Sequence, residues 1–77
     1  MNKPRRTHLW ELIGALESVQ SMLEDLKCEE EECRDNLPEN LVGSERYEKM
    51  DDAVNALDYA IEQIDEAISN IQTAIEG

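Results

Sequence analysis

The sequence contains no phenylalanine, one histidine and three glycines, and these shortages exclude several classes of function. Nucleophilic catalysis needs a Ser, Cys or Thr beside a positioned base, and the only imidazole, His8, lies at the start of a helical pattern beside a basic arm. The Glu-x-x-His units of di-iron bundles are absent, and the three glycines are too far apart to form a phosphate-binding loop. We therefore predict that the protein is not an enzyme and uses no metal or cofactor.

Cysteine is also scarce, and the two thiols are badly placed for a disulfide. Cys28 and Cys33 lie five residues apart in a segment predicted to be helical, which separates them by ~7.5 Å along the axis, beyond the ~7 Å limit between bridged Cα atoms. With one histidine and no Cys-x-x-Cys pair, zinc binding is weakly supported. We expect two reduced thiols, with Cys33 half buried between helices and Cys28 outside the contact.

Long hydrophobic runs are missing as well. No stretch of ~18 apolar residues could span a bilayer, and the basic start is followed by Glu11 and Glu17 instead of the apolar centre of a signal peptide. The sequence therefore predicts a cytoplasmic protein with no membrane partner.

Positive charge is confined to a few places. Lys3, Arg5 and Arg6 form a basic start, all 19 acidic residues come after it, and no Lys or Arg follows Asp51. We expect residues 1–6 to be a flexible basic arm that serves as a solubilising or partner-docking tail; the alternative is that it pairs with the acidic surface of a sister chain. Because the rest of the chain repels phosphates, direct nucleic-acid binding is not expected, whereas basic proteins are attracted.

An apolar heptad repeat fills the C-terminal part of the chain. Each of four alanines is followed directly by Val or Ile, and Leu57, Ile64 and Ile71 come three residues after the branched positions. This spacing is typical of a coiled-coil helix with a flat small-residue flank. The sequence predicts a helix from about residue 44 to 76, with Ser44 as its N-cap. Its predicted buried positions are Tyr47, Met50, Val54, Leu57, Ile61, Ile64, Ile68, Ile71 and Ile75.

A second helical repeat occupies about residues 8–35, with Thr7 as its predicted N-cap. Its predicted buried positions are Leu9, Leu12, Leu16, Val19, Leu23, Leu26 and Cys33. Residues 36–43 contain Pro38 and Gly43, which end the pattern and predict the connection between the helices.

The apolar positions of the two helices face each other when the chain is folded at this connection. Facing residues such as Leu26 and Leu57, or Leu16 and Ile68, have numbers that add to 83 or 84. The sequence therefore predicts an all-α fold, an antiparallel two-helix coiled-coil hairpin over residues 7–77. Since a core this small rarely supplies more than ~3–5 kcal/mol, we expect it to form a homodimer, a four-helix bundle.

Several small or aromatic residues are candidates for contacts in that dimer. The four alanines form a strip that faces either the first helix or a second chain, and Trp10 either covers the end of the hairpin core or anchors a second chain. Gly14 lies in a helix interior, where glycine costs about 1 kcal/mol, so close approach of another element is one explanation for it. The candidate oligomer contacts are Trp10, Ile13, Gly14, Ala53, Ala60, Ala67 and Ala74.

The connection is more distinctive than the heptads. The strings NLPENL at 36–41 and GSERYE at 43–48 resemble the central motif of short acidic proteins from bacteriophages and integrative elements of Firmicutes. Those proteins are similar over most of the length, with a basic start, a Leu/Glu-rich first helix and an Ala-Ile/Leu repeat at the end. Because the family has no settled activity, the resemblance implies a mobile-element origin in a bacterial host more than a mechanism.

Origin and charge together favour a binding function. Small acidic phage proteins are often antagonists that occupy a basic surface of a host protein, as anti-CRISPR proteins and nucleic-acid mimics do, and this analogy holds only at the level of class. We predict a non-enzymatic protein-binding module with a basic protein as its partner; the alternative is a self-associating structural or scaffold protein. The predicted acidic face comprises Glu24, Asp25, Glu29, Glu30, Glu31 and Glu32 in the first helix and Asp51, Asp52, Asp58, Glu62, Asp65 and Glu66 in the second.

Overall fold

The computed structural model describes residues 1–77 as two long helices packed side by side in opposite directions. Helix α1 spans Lys3–Asp35, a single 3-10 turn spans Glu39–Leu41, and helix α2 spans Glu45–Glu76. The hairpin measures 59 × 16 × 12 Å, so it is one helix thick. Neither helix has a stretch long and apolar enough to cross a membrane.

Helix α1 begins earlier than the sequence pattern indicates. Its N-cap is Asn2, whose side-chain oxygen accepts a 2.9 Å hydrogen bond from the backbone N–H of Arg5, and Pro4 occupies the first turn. Asparagine is among the strongest N-cap residues, and proline is tolerated in a first turn because the N–H it lacks would be unpaired there. Residues 3–6 are therefore helical, where a flexible arm was expected, and Thr7 is not the cap.

The connection combines a proline with a left-handed glycine. Pro38 precedes the 3-10 turn, and Gly43 has a φ of 85°, in the region that favours glycine. The next residue, Ser44, caps α2 by accepting a 3.3 Å hydrogen bond from the backbone N–H of Tyr47. The chain thus reverses direction between α1 and α2 at residues whose backbone and capping preferences favour a turn followed by a new helix.

Alanine substitution at two glycines is expected to change stability in opposite directions. A Cβ atom at Gly43 or at Gly14 would meet nothing within 4 Å, so the effect at each site is conformational. We expect Gly43→Ala to lower the free energy of unfolding by roughly 1–2 kcal/mol, because L-residues avoid left-handed backbone. Gly14→Ala should raise it by about 0.5–1 kcal/mol, because alanine is the better helix former. Urea unfolding followed by circular dichroism would measure both, and equal signs would contradict this assignment.

The core is a narrow apolar strip between the two helices. The most buried side chain is Ile13, and the others below one tenth exposure are Val54, Ile61, Ile68 and Ile75. Around Ile13, Ile68 and Ile75 pack the partly buried Leu9, Leu16, Ile64 and Ile71. These contacts place the α2 heptad towards α1, in the antiparallel register expected from the sequence.

Helix α1 is rotated relative to the sequence-based expectation. Leu12, Val19 and Leu26, which were expected in the core, are 46%, 42% and 53% exposed. Cys33, expected to be half buried, is also exposed. The neighbouring heptad set takes their place, since Ile13 is buried and Gln20, Lys27 and Arg34 are half buried. Leu9, Leu16 and Leu23 lie between these two sets on the helix and can pack with either. The sequence pattern alone therefore favoured the more apolar set, that of Leu12, Val19 and Leu26.

Polar contacts across the hairpin accompany the rotation. Gln20 Nε2 donates to the backbone carbonyl of Ile61 at 3.1 Å and to Asp65 Oδ1 at 3.2 Å. One heptad along, Lys27 Nζ lies 2.8 Å from Asp58 Oδ1, and after another heptad Arg34 Nη1 lies 2.8 Å from Asp51 Oδ1. We call the three pairs Gln20–Asp65, Lys27–Asp58 and Arg34–Asp51 the polar ladder. Turning Leu12, Val19 and Leu26 inward would separate these partly exposed pairs and would also move the buried Ile13 out of the core.

Candidate interaction surfaces

The hairpin has two different long sides. At 100° per residue, positions 20, 27 and 34 of α1 and 51, 58 and 65 of α2 lie on one side, where the polar ladder joins them. By the same geometry, positions 12, 19 and 26 of α1 and the alanine strip of α2 lie together on the opposite side. The ladder thus fixes which residues share each surface.

The ladder side carries two rows of carboxylates at heptad spacing. Glu31 is placed there by its 3.6 Å contact with Lys27, and Glu24 and Glu17 precede it at intervals of seven residues. We call the set formed by both rows the acidic ridge. Its members are Glu17, Glu24, Glu31, Asp51, Asp58 and Asp65. Glu17 was not among the predicted residues, although its heptad relation to Glu24 and Glu31 could have revealed it.

Two cations lie within the acidic ridge and are held there by it. The hydrogen bond from Lys27 to Asp58 raises the pKa of that ammonium group above its ordinary value, and the negative charges of Asp58 and Glu31 act in the same direction. Arg34 donates to Asp35 at 3.1 Å as well as to Asp51, and these bonds raise the pKa of its guanidinium. Glu17 and Glu24 have no cationic partner and face solvent.

The twelve predicted acidic residues do not form a single face. Five of them lie on the ladder side or next to it: Glu24, Glu31, Asp51, Asp58 and Asp65, with Glu62 one turn beyond Asp58. Asp25, Glu29 and Glu32 lie on the outer surface of α1, and Asp52 and Glu66 on that of α2. Glu30 lies towards the side opposite the ladder. The sequence run of four glutamates therefore divides among three surfaces, because consecutive helical residues point in different directions.

The side opposite the ladder is apolar. We define the apolar face as the exposed Leu12, Val19 and Leu26 of α1 together with Leu57, Ile64, Ile71, Ala53, Ala60, Ala67 and Ala74 of α2. All of these α2 residues are half buried except Ala74, which is exposed. The alanine strip therefore borders the contact with α1 and also reaches the surface. The face is a continuous apolar stripe that no element of the hairpin covers.

The remaining candidate oligomer contacts have different positions. Ile13 is only 2% exposed and belongs to the hairpin core, so it has no surface for a second chain. Trp10 is 52% exposed and lies towards the ladder side of α1. Gly14 has open space around it, so no other element presses against it.

Each end of the apolar face has a shallow groove. At the open end of the hairpin, a groove of about 230 Å³ is lined by Met1, Arg5, His8, Leu9 and Leu12. At the connection, one of about 410 Å³ is lined by Glu30, Glu45, Arg46, Lys49 and Met50. The first has basic and apolar walls, and the second has charges of both signs.

The thiols and the carboxylates form no ligand cluster. Cys28 and Cys33 are free and exposed, and no three His, Cys, Asp or Glu side chains come together in a way that could hold a metal ion. Comparison of the chain with protein-family models, with curated proteins and with solved structures found no match.

Proposed function

We propose that this chain is a non-enzymatic protein-binding module whose acidic ridge contacts a basic surface of another protein. The observation that carries the proposal is the alignment of six carboxylates along one side of a straight hairpin, with only Lys27 and Arg34 among them. The hairpin positions both rows, so a partner meets a pre-organised surface. Charges of this kind raise the association rate and select the partner more than they increase affinity.

The charge density of the ridge bears on the kind of partner. Six carboxylates and two cations give a net charge of about −4 over roughly 25 Å of the hairpin, from the level of Glu17 to that of Arg34 and Asp51. Duplex DNA carries one charge per about 1.7 Å, several times more. The ridge therefore suits a basic groove that also makes uncharged contacts better than a site that reads a phosphate backbone.

The connection adds a proposal about origin. On the strength of the NLPENL and GSERYE strings, we propose that the chain comes from a bacteriophage or integrative element and acts in a bacterial cell. In that setting the partner would be a host protein with a basic surface, such as a nuclease or another nucleic-acid-handling protein. An antagonist of the anti-CRISPR or nucleic-acid-mimic class is the specific form of the hypothesis.

Capture of partners from a bacterial lysate at two salt concentrations tests the ridge. We expect a bound protein at low salt that is released at ~0.5 M salt, because exposed charges are screened there. Three carboxylates are removed from the ridge in the test variant, Glu17→Gln, Glu24→Gln and Asp65→Asn. Three are removed from the outer surface of α1 in the control, Asp25→Asn, Glu29→Gln and Glu32→Gln.

The two variants carry the same net charge, so only the position of the lost carboxylates differs. We expect the ridge variant to lose at least 80% of the captured partner and the control to keep most of it, because the proposal places the basic surface of the partner against the ridge carboxylates alone. A partner retained equally at both salt concentrations, or lost equally from both variants, would contradict the proposal.

A second candidate function rests on the apolar face. We propose that two copies associate through apolar side chains into a four-helix bundle, since few side chains of the single hairpin are buried. As a homodimer the protein would present two acidic ridges. If no partner binds those ridges, self-association itself would be the function, that of a structural or scaffold protein.

A further inference from the structure

The single hairpin exposes more surface than a compact chain of its size. Its accessible surface is 5662 Å², whereas a compact 8.8 kDa protein is expected to have about 4,800 Å². The excess, about 900 Å² per chain, is close to the ~800 Å² that each partner buries in a standard protein interface. The apolar face offers side chains for such an interface, because Leu12, Val19 and Leu26 are each more than 40% exposed along one side of α1.

We propose that a second copy of this chain covers the apolar face in an antiparallel orientation, with the open end of one hairpin over the connection of the other. This inference rests on the self-association proposed above and assigns its surface and direction. A twofold axis would pass between the hairpins at the level of Val19 and Ile64. Helix α1 would then lie along α1 of the second copy, and α2 along α2.

The spacing of both stripes supports this axis. Gln20 contacts Ile61 and Asp65, which places Ile64 at the level of Val19 in the hairpin. On α1, Leu12 and Leu26 are seven residues to either side of Val19. On α2, Leu57 and Ile71 are seven residues to either side of Ile64, and the four alanines are centred at the same level. The apolar positions of α1 and of α2 are therefore both symmetric about the level of Val19 and Ile64. A twofold axis at that level would bring Leu12 against Leu26 of the second copy, and Leu57 against its Ile71.

Charge selects the antiparallel orientation over the parallel one. About the axis at Val19, the position opposite His8 is Glu30 of the second copy, and Arg5 lies within one turn of that carboxylate. Arg5 has no carboxylate within 4 Å in the single hairpin. Arg46, which has no carboxylate within 4 Å in the single hairpin, would lie near the C-terminal end of the second α2, the negative end of the helix dipole, whose last turn has no basic residue. Lys49 beside it is already paired with Glu45 at 3.2 Å. A parallel dimer would instead place the two glutamate runs at the same end.

Cross-linking through single cysteines tests the arrangement in the 77-residue chain. In a Cys28→Ser, Cys33→Ser background, Val19→Cys is expected to link to itself with a short bis-maleimide, because residue 19 lies on the axis. Leu12→Cys and Leu26→Cys should not link when each is alone and should link when the two chains are mixed. Ser21→Cys, on another surface of α1, is the control and should remain unlinked. Circular dichroism would check that each variant is as helical as the parent chain.

The outcomes separate this inference from the proposals on which it depends. Linking at residue 19 and in the 12/26 mixture, at least tenfold above Ser21→Cys, supports the antiparallel interface. A dimer in sedimentation that links at neither position overturns the inference and leaves self-association standing. A chain that stays monomeric at high concentration overturns both, and neither result affects the salt-sensitive capture that tests the acidic ridge.

Discussion

Replacing Ile13 by alanine should abolish most of the helical structure of this protein at room temperature. Ile13 is the most buried side chain, and it contacts the α2 positions Ile68 and Ile75 across the hairpin. Removing a buried isoleucine down to alanine costs about 2–5 kcal/mol, and a core of this size supplies only ~3–5 kcal/mol in total. Thermal unfolding followed by circular dichroism would show the loss as a broad transition at much lower temperature.

The neighbouring leucine provides the control. Leu12→Ala removes a side chain that is 46% exposed in the hairpin, so it should change the stability of the monomer by about 0.5 kcal/mol. Its effect is expected mainly in the concentration dependence of unfolding, because Leu12 belongs to the apolar face. If Leu12→Ala destabilised a dilute sample as much as Ile13→Ala, the observed rotation of α1 would be wrong and the sequence-based assignment of Leu12 to the core would be right.

Placing a lysine at Val19 should separate the two copies without unfolding them. In the proposed interface residue 19 lies on the twofold axis, so Val19→Lys would bury two ammonium groups next to each other without an anion between them. A loss of about 3 kcal/mol corresponds to a dissociation constant raised at least 100-fold. Sedimentation velocity over a concentration series would measure that shift.

Two further variants make the interpretation specific. Ser21→Lys adds the same charge on another surface of α1, and its dissociation constant should stay within about threefold of the parent, as is usual for surface changes. Val19→Leu keeps an apolar side chain and should dimerise. If Val19→Lys dimerised as tightly as Ser21→Lys, the apolar face could not be the interface.

Much of the fold could be predicted because its signals are local and repeated. The Val/Ile heptad of α2 has no competing stripe, and Ser44 and Gly43 mark its start clearly. The rotation of α1 could not be predicted in the same way, since Leu9, Leu16 and Leu23 belong to two overlapping stripes. The more apolar stripe was chosen, but Gln20, Lys27 and Arg34 match the aspartates of α2 across the hairpin. Such a choice depends on long-range pairs that no single helix reveals.

The candidate surfaces were predictable only in part. Composition identified an acidic protein, yet the direction of each carboxylate follows from the rotation of the helix that carries it. Asp25 and Glu29 therefore point away from the ridge, while the overlooked Glu17 belongs to it. The same rotation exposes Val19, and so the residue expected in the core becomes the centre of the proposed interface. The rotation of α1 accounts for both differences.

Sedimentation equilibrium of the unmodified chain tests most directly whether the hairpin is half of a larger assembly. The apolar face predicts a single species of twice the 8.8 kDa chain mass at moderate concentration, dissociating on dilution. It also predicts that raising the salt does not weaken the dimer, because the interface is mainly apolar and salt screens the repulsion between two chains of net charge −12. A mass of one chain at every concentration up to the solubility limit would contradict the account.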